Sequence, residues 1–191
     1  MSSTGWFRPS SGKTVAAGAV LLGIALTTLG AQNPAAPTIK TTVRSAIADI
    51  RDAATYKTPG WTSGHLDAAD VKATHERLQR SMKAHFTSDA LLRWGSVLSN
   101  AIDRDSDGEH VVVTAGGVDQ IEFSTLSVTG ESATASGRAH TWVTWKIIKP
   151  NVPGPSTGHP TGWDLFEARL VDVDGTWLVS DLDLQPQGGG G

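Results

Sequence analysis

The densest run of potential ligands in this 191-residue chain is Asp103-Arg104-Asp105-Ser106-Asp107-Gly108-Glu109. Three aspartates at alternate positions, followed by glycine, supply the oxygens and the sharp turn of a calcium loop. Counted from Asp103, such a loop needs an apolar residue at position 8 and a bidentate Glu at position 12. His110 and Thr114 stand there instead. Half the motif is missing, so Asp103, Asp105 and Asp107 are weak calcium candidates, and a polar turn is the plainer expectation. The six histidines, at 65, 75, 85, 110, 140 and 159, give no pair spaced by three or four. His75-Glu76 opens H-E-x-x-H, but Gln79 stands at its last position. On one helix the ten-residue spacing of His65, His75 and His85 rotates each by ~280° from the last, so they share no face. No zinc site is expected, and no cofactor.

Nucleophilic and phosphate-binding motifs fail in the same way. Ser10 and Lys13 fit S-x-x-K, and Gly12-Lys13-Thr14 resembles the end of a P-loop, but Phe7 stands where the first glycine belongs. There is no G-x-S-x-G and no G-x-G-x-x-G. With no cysteine, thiol catalysis, Cys-ligated metals, disulfides and Cys-linked lipids are excluded. A formal charge of −3 argues against a general nucleic-acid binder. What the chain has in surplus is tryptophan, seven in all.

The elements that hold these residues are unevenly distributed. Residues 1–13 are polar and carry Arg8 and Lys13, and residues 14–31 (TVAAGAVLLGIALTTLGA) hold no charge. A short positive segment before an uncharged apolar run is a membrane-insertion signal, and ~18 residues is the short end for spanning a bilayer. Cleavage after Ala31 would put Leu29 at −3, and cleavage after Gly30 would put Thr28 there. The expectation is an uncleaved single-pass anchor, with residues 1–13 cytoplasmic and the rest outside. A cleaved, secreted form is the alternative. Residues 32–37 (QNPAAP) read as a linker, 38–185 as one folded domain and 186–191 as a flexible glycine tail.

The domain divides by periodicity and by charge. Ile39, Val43, Ile47, Ile50 and Ala54 recur at helical spacing from Thr38, a candidate N-cap, until Pro59-Gly60. Val71, His75, Leu78, Met82 and Phe86 form a second stripe, starting near Asp67 or Asp70. Leu91, Leu92, Val97, Leu98 and Ile102 form a third after Thr87-Ser88-Asp89. Strands follow. Val111–Thr114 and Val118–Val128 are candidates. Ser132–Ile148 alternates, with Ala133, Ala135, Ala139, Val143, Trp145 and Ile147 on one face. Arg138, His140 and Trp142 lie on the other. Trp163–Val173 and Thr176–Leu184 flank Asp174-Gly175, a strong hairpin signal. Pro150–Gly162, with four prolines, reads as an exposed loop. Residues 38–102 hold nine Lys/Arg against six Asp/Glu, and residues 103–187 five against thirteen. Helices followed by an antiparallel meander make an α+β domain.

Three segments carry a family resemblance. They are His85-Phe86-Thr87-Ser88-Asp89-Ala90-Leu91-Leu92, then Val118-Asp119-Gln120-Ile121-Glu122-Phe123 with Val128-Thr129-Gly130-Glu131-Ser132-Ala133, and last Trp163-Asp164-Leu165-Phe166 with Asp174-Gly175-Thr176-Trp177-Leu178-Val179-Ser180-Asp181. In order and style they resemble the nuclear transport factor 2-like superfamily, in particular its membrane-anchored extracytoplasmic subset in actinobacterial envelopes and conjugation or type IV secretion channels. The resemblance implies helices on a curved, cone-like sheet and a non-enzymatic assembly role. It implies a protein partner in the cell envelope, a membrane contact through residues 14–31, and room for self-association. The same fold hosts isomerases and dehydratases, which place a carboxylate in the apolar cone, where burial raises its pKa. Asp181, sharing a strand face with Trp177 and Val179, is that candidate here, with His75 or His140. As a partner surface the candidates are Trp142 and Trp163 with Arg138 and His140, because tryptophan and arginine dominate binding hot spots.

Overall fold

The computed structural model describes residues 33–53, 68–102, 105–106, 109–148, 153–154 and 156–187. These belong to one compact unit, Gln32–Gly191. The segments 1–13 and 14–31 lie outside the described residues, as do Asp103 and Asp107. Among the described residues no helix is long and apolar enough to cross a membrane. Three helices come first: α1 (Ala36–Ala53), α2 (Ala68–Lys83) and α3 (Ser88–Ile102). Six strands follow: β1 (Asp105–Ser106), β2 (Glu109–Thr129), β3 (Ser132–Ile148), β4 (Ser156–Gly158), β5 (Thr161–Val173) and β6 (Thr176–Pro186). They form one antiparallel sheet in the order β1-β2-β3-β5-β6, with β4 also paired to β3. The α+β architecture expected from the sequence is the one observed.

α1 starts two residues before Thr38. The Asn33 side-chain oxygen accepts the Ala35 N–H at 2.9 Å, and Pro37 falls in the first turn, where its missing N–H costs nothing. Ile39, Val43, Ala46, Ile47 and Ile50 make its buried face. Leu78 and Met82 of α2, with Phe86 just beyond it, join the same core. The third stripe needs correcting. α3 buries Ala90 and Leu98, with Leu91 and Trp94 partly covered, whereas Leu92 is 73% and Val97 43% exposed. Leu92 is rotated ~200° from Ala90 around the helix, so both cannot face the core. Thr87 caps α3, its Oγ1 accepting the Ala90 N–H at 3.4 Å.

β2 corrects the sequence reading most. It is one strand of 21 residues, not the two separate runs Val111–Thr114 and Val118–Val128. Its pairing with β3 slips between Val113 and Ala115, between Val118 and Gln120, and between Phe123 and Thr125. Each slip is a bulge, which adds a residue and bends the strand. The partly buried residues therefore run Val118, Ile121, Phe123, Leu126, Val128, with spacings of three at the bulges and two elsewhere. The bent sheet wraps α1 so closely that a Cβ on Gly116 would lie 2.1 Å from the Arg51 carbonyl oxygen. The proline-rich stretch also contains more order than expected: β4 pairs with Trp145, Lys146 and Ile147 of β3.

β3 is the central strand, and its inward residues are small: Ala133, Ala135, Gly137 and Ala139. Gly137 lies opposite Phe123 on one side and Phe166 on the other, and these two rings meet edge-on with centroids 5.4 Å apart. A Cβ on Gly137 would lie 2.0 Å from the Glu122 carbonyl oxygen and 2.9 Å from the Phe166 ring. The Asp174-Gly175 hairpin forms as expected, with φ of 52° and 82°, the positive pair that a type I′ turn requires. Gly137→Ala is expected to destabilise the domain by about 1–3 kcal/mol through overpacking. Gly162→Ala, with open space around its Cβ, should change stability by no more than about 0.5 kcal/mol. Urea unfolding midpoints of the two variants check this.

Candidate functional site

The sheet has two chemically different faces, and each holds a cluster of polar side chains. On the inner face, β5 directs Asp164, Phe166, Ala168 and Leu170 towards the helices at alternate positions. Asp164 is thus a carboxylate at a core position, 4% exposed. Its Oδ2 accepts hydrogen bonds from Arg51 Nη2 of α1 at 2.5 Å and from Thr141 Oγ1 of β3 at 2.6 Å. The ion pair joins the end of α1 to the centre of the sheet. Arg51 Nε is buried without a partner. Sequence reasoning missed Asp164, although the signal was present: it holds the inward parity of Phe166, Ala168 and Leu170.

A second buried-edge cluster joins the helices. Asp49 of α1 accepts a short hydrogen bond from Ser81 Oγ of α2, and its Oδ2 lies 2.6 Å from His85 Nδ1. Serine, aspartate and histidine are the types of a hydrolytic triad, but here the carboxylate stands between the other two. The histidine does not face the serine, so the order of a triad is absent and the three side chains tie α1 to α2 and the turn after it. The backbone of His85 and Thr87 then bonds Val179 of β6 on both sides, at 2.8 and 2.9 Å.

The outer face carries the aromatic group. Register places His140 opposite Trp163 and Arg138 opposite both Glu122 and Leu165. The Arg138 guanidinium lies 4.4 Å over the Trp163 ring, and its Nε donates to Glu122 Oε2 at 2.7 Å. Glu122, by that hydrogen bond first and its charge second, raises the Arg138 pKa above the ordinary arginine value. The His140 ring meets Trp163 edge-on at 5.3 Å, and His140 Nδ1 is 3.3 Å from Asp119 Oδ2. Trp142, two residues along β3, packs against Gly117 and lies 5.4 Å from the His159 ring. His159 is fixed by Thr144 Oγ1 at 2.7 Å from its Nδ1. An exposed cation–π pair is worth about 0.5–1 kcal/mol, a bias of about two- to fivefold towards this orientation of Trp163. Acidic groups lie further along the strands: Glu167, four residues beyond Trp163, is opposite Asp183.

The sequence candidates divide accordingly. Arg138, His140 and Trp163 come together, with Trp142 on the same face. Asp181 does not enter the cone. A register shift between Arg169 and Leu170 leaves Ser180 as an extra residue on β6 and reverses the parity beyond it. Trp177, Val179 and Leu182 point inward, and Asp181 pairs instead with Arg93 of α3 at 2.9 Å. Through Arg169 and Thr134, Asp181 is six β3 residues, roughly 20 Å, from His140. The two form no acid–base pair. His75 is half-buried on α2. Of the calcium candidates only the backbone of Asp105 is described, in β1 opposite His110. Among the described residues no group of three or more His, Asp and Glu is placed to hold a metal.

No protein-family model matches the chain, and no curated protein matches it. Among solved structures, the intermembrane space region of the chloroplast protein ARC6 is similar at 9% identity over 64% of this chain and 99% of that one, with a TM-score of 0.41. An Ntf2 like protein involved in plasmid conjugation is similar at 11% identity over 80% of this chain, which spans about half of that protein (51%), with a TM-score of 0.36. A function-unknown protein from Mycobacterium tuberculosis is similar at 16% identity over 61% of this chain and 62% of that one, also with a TM-score of 0.36.

Removing one partner of the inner ion pair strands the other. Asp164→Ala is expected to cost about 3 kcal/mol, at the low end for a buried pair because the Arg51 side chain keeps 19% exposure. The double variant Arg51→Met/Asp164→Leu should recover at least half of that loss. Equilibrium denaturation of the single and double variants measures both quantities.

Proposed function

We propose that this chain is a membrane-anchored interaction module of the cell envelope, built on a nuclear transport factor 2-like cone. Residues 14–31 anchor it, residues 1–13 stay in the cytoplasm, and the domain lies outside. It works by holding a protein partner on the outer face of the sheet, without catalysis. The observation that carries this reading is Trp163, held between Arg138 and His140 on a face that the helices leave uncovered. An aromatic ring already biased to one orientation by its neighbours loses less conformational entropy on binding. Leu165, 44% exposed beside it, adds apolar contact. The inner face lacks the opposite property. Phe166, Ile39, Ile47, Leu78, Met82 and Leu170 fill the space between sheet and helices. The inward carboxylate, Asp164, is already engaged by Arg51 and Thr141.

The acids further along the sheet from Trp163, Glu167 and Asp183, suit a partner with basic residues, and such binding weakens with salt. Co-purification of the full chain from solubilised membranes tests the proposal. The wild type should retain a protein partner at low salt and lose it at high salt. Trp163→Ala should lower retention by about tenfold or more, as a hot-spot truncation does. Recovery of the wild type only as a partnerless monomer overturns the reading.

A further inference from the structure

A second surface lies on the other side of the molecule's chemistry, between α1 and β2. There a groove of about 410 Å³ is lined by Lys40, Thr41, Arg44, Ile121 and Phe123. Lys40 Nζ stands 5.4 Å over the Phe123 ring. Arg44, one turn further along α1, donates through Nη2 to the carbonyl oxygens of Val118 and Asp119, at 3.1 Å each. Asp119 is the extra residue of the second β2 bulge and Val118 precedes it, so the bulge itself fixes the guanidinium. Among the described residues neither cation pairs with a carboxylate. The nearest acidic side chain in sequence to the Arg44 contact, Asp119, is turned to His140 instead. α1 also has no acid in its first turn, and its first acidic residue is Asp49. Lys40 and Arg44 are a like-charge pair four residues apart on the helix, and a bound anion would relieve that repulsion.

We propose that this groove is a headgroup site for an anionic phospholipid at the membrane surface. The lining argues for an amphiphile: Lys40 and Arg44 take the phosphate, and Ile121 and Phe123 take the apolar part next to it. A free phosphate would leave that apolar floor unused. The chain itself argues for the source. Only residues 32–35 separate the apolar run from α1, a reach of at most about 18 Å even fully extended. This argument rests on the anchor reading above. Two cations near an anionic surface each add about fivefold to its attraction.

The experiment uses the full chain in vesicles of phosphatidylcholine, with and without phosphatidylglycerol, and reads amide hydrogen exchange along α1 and β2. Exchange at residues 38–46 and 118–123 should slow at least threefold in the phosphatidylglycerol vesicles. The effect should vanish at high salt and in Lys40→Gln, which removes no side-chain hydrogen bond among the described residues. Equal exchange in the two vesicles overturns the site. Equal slowing by inorganic phosphate in phosphatidylcholine vesicles also overturns it, in favour of a phosphate site. Slowing by an acidic peptide but not by phosphatidylglycerol overturns it in favour of a protein partner. Flotation keeps the two readings apart, because a chain that fails to float with phosphatidylcholine vesicles overturns the anchor alone. The headgroup site must then show itself as salt-sensitive flotation with phosphatidylglycerol vesicles, and its absence overturns that as well.

Discussion

The fold depends on how closely α1 lies in the bend of β2 and β3. The Arg51 carbonyl sits where a side chain on Gly116 would be, and the inward positions of β3 are alanine or glycine. A flat sheet with larger residues would hold the helix further out. Ile39, Val43, Ile47 and Ile50 would then lose the contacts that make a dense interior worth more than mere removal from water. The three β2 bulges supply the curvature, and Phe123 and Phe166 close over Gly137 where the bend leaves room. The Arg51–Asp164 pair secures the same contact at the far end of the helix. Both proposed surfaces follow from this packing. The outer face is what remains of the sheet once one side is covered, and the basic groove is the seam where the helix meets the bent strand.

Much of this was legible in the residues. The buried faces of α1 and α2 follow the 3.6-residue period, and Asp174-Gly175 marks its turn by chemistry alone. The outer aromatic group was legible because Arg138, His140 and Trp142 share the polar parity of an unbroken strand. That Trp163 completes it depends on register, which no single strand reveals. Two of the failures are of one kind. Bulges change a period of two to three for one step, and a reading that assumes strict alternation then assigns the wrong face. This is why β2 reads as two strands, and why Asp181, beyond the Ser180 bulge, reads as inward. Asp164 was overlooked for a different reason. An acid on an apolar face looks like an exception until its cationic partner, 113 residues away in sequence, is brought to it.

Arg93 illustrates how one exposed side chain can fix an irregularity. It spans from α3 to the Ser180 carbonyl at 2.8 Å and the Asp181 carboxylate at 2.9 Å, the two residues at which β6 changes parity. Surface ion pairs contribute little to stability on average. The value of this one lies in specificity, because it favours the register that turns Leu182 inward over the one that would bury Asp181.

The stitching of Val179 to the turn between α2 and α3 has a consequence for how copies of this domain can meet. A sheet margin with free N–H and C=O groups recruits further strands without limit, which is the route to fibres. Here the β6 margin is occupied at Val179 by the backbone of His85 and Thr87. The β2 margin is interrupted three times by bulges, and its first residues are covered by the two-residue β1. Neither margin offers a long, straight template for addition. Strand addition is therefore disfavoured at Val179 and along the bent β2, which leaves side chains on faces and in grooves as the better-suited contacts between copies.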